Sequence, residues 1–96
     1  MSEPMSRAGL RPRQLPGTRL EQQGPQILLS DADRSVVLVV NESAAALWQL
    51  CDGTTTIAEM VTAICEVSAV SLDRARDDVE KTLAEFERAK LISFEV

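Results

Sequence analysis

Residues 41–60, NESAAALWQLCDGTTTIAEM, constrain the fold more than any other stretch, because they spell out two helix boundaries in succession. Asn41 is placed to cap a first helix by accepting a hydrogen bond from a backbone N–H two or three residues on. Glu42 falls in the first turn, where a negative charge suits the helix dipole. Ala44, Leu47, Trp48 and Cys51 recur at helical spacing and form one apolar stripe. Asp52-Gly53 stops that helix, since glycine tolerates the left-handed backbone that closes one. Thr56-Ile57-Ala58-Glu59 fits a capping box, which opens a second helix.

The rest of the chain arranges itself around these boundaries. Residues 18–22 alternate weakly and predict a short strand, and Gly24-Pro25 is a turn signal. Residues 26–30, with Ile27, Leu28 and Leu29, predict a second strand. The polar tetrapeptide Asp31-Ala32-Asp33-Arg34 then leads into a third at 35–40. Helices are expected at 42–51, 57–67 and 72–90, the last with Ser71 as its cap. In the third helix Leu72, Ala75, Val79, Leu83 and Phe86 make the apolar stripe. The charged remainder reads as a solvated face held by pairs such as Asp77–Lys81. Residues 91–94 are apolar and extended, suited to a short tail strand against the core. Strands followed by helices give an α+β fold: a small three-stranded antiparallel sheet followed by three helices, winged-helix-like in plan. Residues 1–16 hold Pro4, Pro12 and Pro16 without periodicity. They read as a flexible N-terminal tail that folding can do without, with Gly17 as the hinge into a domain at 17–96.

Several function classes are excluded by composition. A chain of 96 residues makes one small domain with little room for a large catalytic cavity. Beyond residue 16 it carries seven basic and fourteen acidic residues, the wrong balance for a phosphate backbone, so no nucleic-acid partner is expected. There is no histidine, no tyrosine and no Gly-x-Ser-x-Gly, so no nucleophile–base pair is apparent; the protein is expected not to be an enzyme. Cys51 and Cys65 form no Cys-x-x-Cys, and no metal or cofactor site is expected. Both fall on apolar helix faces and read as buried, reduced thiols of a cytoplasmic protein; the alternative is a disulfide between neighbouring helices. The longest apolar run, at 36–40, is far too short to span a membrane.

That run, Val36, Val37, Leu38, Val39 and Val40, is apolar at every position, which implies that both of its faces meet apolar surface. Two readings remain. Either it is an ordinary central strand, or it is the open outer edge of a three-stranded meander. An apolar edge carrying neither charge nor proline invites pairing, and addition of a peptide strand is a known mode of recognition.

The order and spacing of several short pieces resemble the PqqD family of small peptide chaperones, also called precursor-peptide recognition elements. The pieces are Leu15-Pro16-Gly17-x-Arg19, Ile27-Leu28-Leu29, Asn41 ahead of Ala44-x-x-Leu47-Trp48-x-Leu50-Cys51-Asp52-Gly53, and Thr56-Ile57-x-Glu59-Met60. Asp78-Val79-x-x-x-Leu83-x-x-Phe86 and Leu91-Ile92 complete them. The sequence departs from the family at three places. Leu29-Ser30-Asp31-Ala32 replaces the Leu-Ala-Pro-Glu-type run of members serving pyrroloquinoline quinone synthesis. Thr82 stands where an apolar residue is usual, and Lys90 where glycine is common.

The resemblance implies a non-catalytic protein. It would bind the leader of a ribosomally made precursor peptide and present it to a modifying enzyme, either a radical S-adenosylmethionine enzyme or a cyclase–protease pair. It implies that the leader adds as an extra strand beside the third strand, Ser35, Val36, Val37, Leu38, Val39 and Val40, and lies against the third helix. Of the two flanks of that helix, Asp78, Thr82 and Glu85 form the favoured one and Arg76 with Glu80 the other, with Lys81 directed away. The protein is expected to be a monomer or a weak dimer. Two other classes compete: a winged-helix nucleic-acid binder or general interaction domain, and an acyl carrier. The acidic third helix counts against the first. The second lacks the aspartate that would precede Ser71-Leu72.

Overall fold

The helix caps form as the local sequence dictates, and they set the frame for everything else. The computed structural model describes residues 9–95. Asn41 Oδ1 accepts from the Ala44 N–H at 2.8 Å and opens helix α1, Glu42–Leu50. Thr56 and Glu59 exchange both bonds of a capping box, at 3.1 and 2.8 Å, and open α2, Ile57–Ser68. Ser71 Oγ accepts from the Arg74 N–H at 3.2 Å and opens α3, Leu72–Arg88. Each helix then buries the stripe its periodicity requires. Leu47 and Trp48, then Ile57, Met60, Val61 and Ile64, then Ala75, Val79, Leu83 and Phe86 meet in one core with Leu29, Leu91 and Ile92. Lys81 pairs with Asp77 at 3.2 Å on the solvated face, as expected of their spacing.

Asp52 and Gly53 do more than stop α1. The Asp52 carboxylate accepts from the N–H and hydroxyl of both Thr54 and Thr55, at 2.8 to 3.2 Å. The two backbone donors hold its pKa at about 2, well below the usual carboxylate range. Because the folded-state value is depressed, this contribution to stability is present above pH 3.8 and is lost as pH falls toward 2. Gly53 has φ +82°, and a Cβ there would lie 2.8 Å from the Arg13 guanidinium. The left-handed backbone is what reserves the position for glycine, since the guanidinium ends a flexible side chain that can move aside.

Two further helix ends are less well served. Ala69, closing α2, and Lys90, just past α3, have φ of +55° and +63°. This left-handed backbone strains a residue carrying a Cβ. Ala69→Gly should therefore stabilise the fold by about 0.5–1 kcal/mol, net of the glycine's larger unfolded-state entropy. Urea unfolding checks this through a higher midpoint at unchanged slope.

Among the described residues five strands form two sheets. Strands β2 (Arg19–Gln23), β3 (Gln26–Ser30) and β4 (Val37–Val40) make the expected three-stranded antiparallel meander, in the order β2-β3-β4. The third strand is shorter than the sequence predicts. The Asp31 carboxylate accepts from the Ser35 hydroxyl at 2.9 Å and from the Val36 N–H at 3.1 Å, so Ser35 and Val36 belong to the turn. That geometry lowers the pKa of Asp31, chiefly through the Val36 bond.

The second sheet was not expected. Strand β1 (Arg11–Gln14) pairs antiparallel with β5 (Ile92–Glu95), so the tail predicted for residues 1–16 has to be corrected within its described part. Residues 1–8 lie outside the described residues. Pro12 is fully buried. The segment is also fastened on its other side to the α1–α2 connection. Gln14 N–H donates to Cys51 C=O at 2.9 Å, Gly53 N–H to Pro12 C=O at 3.0 Å, and Ile57 N–H to Leu10 C=O at 3.0 Å. Gln14 Nε2 donates to Trp48 C=O at 3.0 Å, and Leu15 N–H to Leu91 C=O at 3.0 Å. Pro16-Gly17 makes a tight turn closed by Thr18 on Leu15 C=O, and Gly17 packs so close to Ala32 that a Cβ would lie 2.7 Å from the alanine methyl. It is a corner between two strands rather than a hinge.

The two cysteines are free thiols in different surroundings. Cys51 is fully buried, and burial pushes its pKa up to about 12. Cys65 is only half-buried, which corrects the expectation of two buried thiols; its Sγ donates to Val70 C=O at 2.9 Å. Thiolate supply and access control alkylation. Iodoacetamide at pH 8 should therefore modify Cys65 at least tenfold faster than Cys51 in the native protein, as read by mass spectrometry. Equal rates would contradict the burial of Cys51.

Candidate functional site

The candidate site is the outer edge of β4 and the groove between it and α3. Among the described residues β4 has a neighbour on one side only, β3. The phase of its ladder follows from the hairpin, where Asp31 N–H donates to Val36 C=O at 3.2 Å. Antiparallel partners alternate between pairs that exchange backbone bonds and pairs that point away from each other. Along the register Leu29↔Leu38 and Ile27↔Val40, the backbone groups of Leu38 and Val40 point at β3. Those of Val37 and Val39 therefore point outward, along the free edge.

Side chains alternate the other way. Leu38 and Val40 pack against the core, whereas Val37 and Val39 are 52% and 64% exposed. The expectation that both faces of this run meet apolar surface is thus half wrong. Ser30, the cross-strand partner of Val37, is itself buried, so it is at Val37 and Val39 that this face is bare. β4 accordingly offers two outward N–H groups, two outward carbonyls and two bare valines.

α3 supplies the opposite wall. Val79, Leu83 and Phe86 are 1% exposed and anchor the helix in the core. Asp78 and Thr82 line a hollow of about 330 Å³ with Asn41 and Ser43, at the point where β4 runs into α1. Glu85 lines a second hollow of about 310 Å³ with Leu38, Arg88 and Ala89, beside the middle of β4. Glu85 thus stands beside β4, whereas Asp78 and Thr82 stand beside Asn41 and the facing sides of α1 and α2. Glu80 faces the other way, into a crevice with Ile57, Leu83 and Phe94. Lys81, expected to point away, also lines the Asn41 hollow.

Sequence reasoning missed Arg88 and Ala89. Ala89 was accessible to it, because 78, 82, 85 and 89 continue one helical flank at spacings of four, three and four. It also missed that Asn41, besides capping α1, sits in the groove.

The electrostatics of the groove are mixed. Asp78 holds Arg74 at 3.7 Å, an exposed pair of small energetic weight. The Glu85 carboxylate and the Arg88 guanidinium have no side-chain partner among the described residues. The groove therefore presents an apolar floor at Leu38 and Ala89 between one unpaired negative and one unpaired positive charge. Among the described residues no three His, Cys, Asp or Glu side chains come together to hold a metal ion. No helix there is long and apolar enough to cross a membrane.

No curated protein and no solved structure gives a significant match to the chain. The family model described as Coenzyme PQQ synthesis protein D (PqqD) matches residues 26–92, well over half of the chain. The match begins at the strand paired with the open edge and runs through the whole of α3, so it takes in both walls of the groove. The chain belongs to the PqqD family.

Proposed function

We propose that this protein is a non-catalytic peptide chaperone. It binds the leader of a ribosomally synthesised precursor peptide and presents that peptide to a modifying enzyme, either a radical S-adenosylmethionine enzyme or a cyclase–protease pair. At the level of the family, the role is accessory and peptide-binding in coenzyme PQQ synthesis. The observation that carries the reading is the free edge at Val37 and Val39, lying beside an α3 flank that an added strand would contact.

An extended leader segment would exchange main-chain bonds with Val37 and Val39, each contributing about 0.5–1.5 kcal/mol net. Alternate side chains of the same segment would enter the groove, over Leu38 and Ala89 and past Glu85 toward Thr82 and Asp78. Main-chain pairing tolerates many sequences, so selectivity falls to the groove. The residues proposed to take part are Ser35 and Val36 at the strand entrance, Val37, Leu38, Val39 and Val40 on the strand, and Asp78, Thr82 and Glu85 on the helix.

Calorimetry with a synthetic leader from a precursor gene neighbouring this one tests the reading. Saturable one-to-one binding is expected, with no change in the peptide's mass after long incubation with the protein alone. Covalent modification of the peptide by the purified protein would overturn the non-catalytic assignment.

A further inference from the structure

We propose that, in the absence of a peptide, the β4 edge is closed by a second copy of this chain, so that the protein stores its binding edge as a symmetric dimer that a leader must open. The proposal that a copy docks here stands on its own; only the competition with a leader rests on the function proposed above.

The edge is self-complementary. An antiparallel β4–β4 pair with its two-fold axis at Leu38 sets Val37 opposite the partner's Val39, and Val39 opposite the partner's Val37. These are the positions whose N–H and C=O groups point outward. The register therefore falls on bonded pairs, which exchange four main-chain hydrogen bonds across the axis and join the two meanders into one six-stranded sheet. The same register brings the valines together as cross-strand pairs on the bare face, covering the two exposed side chains of each copy.

Charge complementarity commits the edge to a second copy rather than to an arbitrary strand. Glu85 and Arg88 share the hollow over Leu38, the residue through which the axis passes. A two-fold axis there runs α3 antiparallel to its mate, so Glu85 faces the partner's Arg88 and Arg88 faces the partner's Glu85. Neither has a side-chain partner within its own chain among the described residues. A net charge of −5 per chain opposes association at long range. The patch itself, four strand residues and one helix flank, is at the small end of specific interfaces. Both factors make the dimer weak and reversible, as a store for a binding edge has to be.

Sedimentation velocity of the full chain, without peptide, over a concentration series reaching roughly the millimolar range that weak complexes need, reads the equilibrium directly. A concentration-dependent shift from monomer to dimer is expected, strengthening as salt is lowered. Glu85→Arg should weaken the dimer about tenfold, since it places like charges across the axis twice. Arg88→Glu should do the same, and the double swap Glu85→Arg with Arg88→Glu should restore it. Leader peptide added to the wild-type dimer should return it to monomer–peptide complexes. A monomer throughout the series overturns the proposal. So does a dimer indifferent to both single reversals, or one that binds a leader without dissociating. Leader binding is measured separately at protein concentrations where only monomer is present, so its failure there counts against the chaperone reading and leaves the dimer result untouched.

Discussion

Removal of residues 1–15 should destabilise the fold by roughly 3–6 kcal/mol, a large part of what a domain this size possesses. The segment looks dispensable on composition, but β1 is held on both sides. It pairs with β5 along Arg11–Gln14 and is bonded to the α1–α2 connection through Cys51, Gly53 and Ile57. Its loss unpairs Ile92–Glu95 and uncovers Leu91, Ile92 and Cys51, which are 0%, 2% and 0% exposed. Several backbone bonds at about 1 kcal/mol each and the apolar area beneath Pro12 account for the magnitude. Urea unfolding of the truncated chain should show a much lower midpoint and a shallower slope. Removal of residues 1–8 alone leaves all of these contacts in place. A truncation at residue 15 that unfolds like the full chain would show that the β1–β5 sheet contributes little.

Val39→Pro should weaken leader binding about tenfold or more while leaving the fold nearly intact. Proline deletes an N–H, and at Val39 that N–H faces outward, where an added strand would accept it as a partner. A lost main-chain bond together with ring crowding at the edge amounts to about 1.4 kcal/mol or more, a factor of ten. The control is Leu38→Pro, where the N–H faces β3. That substitution should disrupt the meander and unfold the protein before any question of binding arises. Calorimetry beside a thermal melt separates the two effects. Equal tolerance of proline at both positions would mean that the ladder phase is not as described.

The contrast between these two segments also explains which parts of the structure were legible in the sequence. Helix starts were legible because caps are local: Asn41, Thr56 and Ser71 act within three residues of themselves. The hairpin was legible for the same reason, though the side-chain bonds of Asp31 shortened its second strand by drawing Ser35 and Val36 into the turn. β1 was not legible. Its sequence, Arg-Pro-Arg-Gln, carries no period, and its partner strand lies at the other end of the chain. Only the pairing makes it a strand.

The candidate site divides in a similar way. The open edge could be inferred from an apolar run without charge or proline, and a helical wheel sets Asp78, Thr82 and Glu85 on one flank of α3, whose contact with a leader is a proposal. The exposure of Val37 and Val39 could not be inferred, because burial depends on which layers stack on which face. Nor could the placement of Glu85 and Arg88 over Leu38, which depends on how α3 crosses the sheet.

The most direct test of the central claim is an amide chemical-shift titration of isotope-labelled protein with the synthetic leader, at concentrations where the protein is monomeric. The account predicts the largest shifts at Val37 and Val39, whose N–H groups gain partners. Smaller shifts should follow at Leu38, Thr82, Glu85 and Ala89 along the groove, with α1 beyond its first turn, α2 and β1 unchanged. Shifts concentrated on α1 and α2, with Val37 and Val39 unmoved, would contradict it.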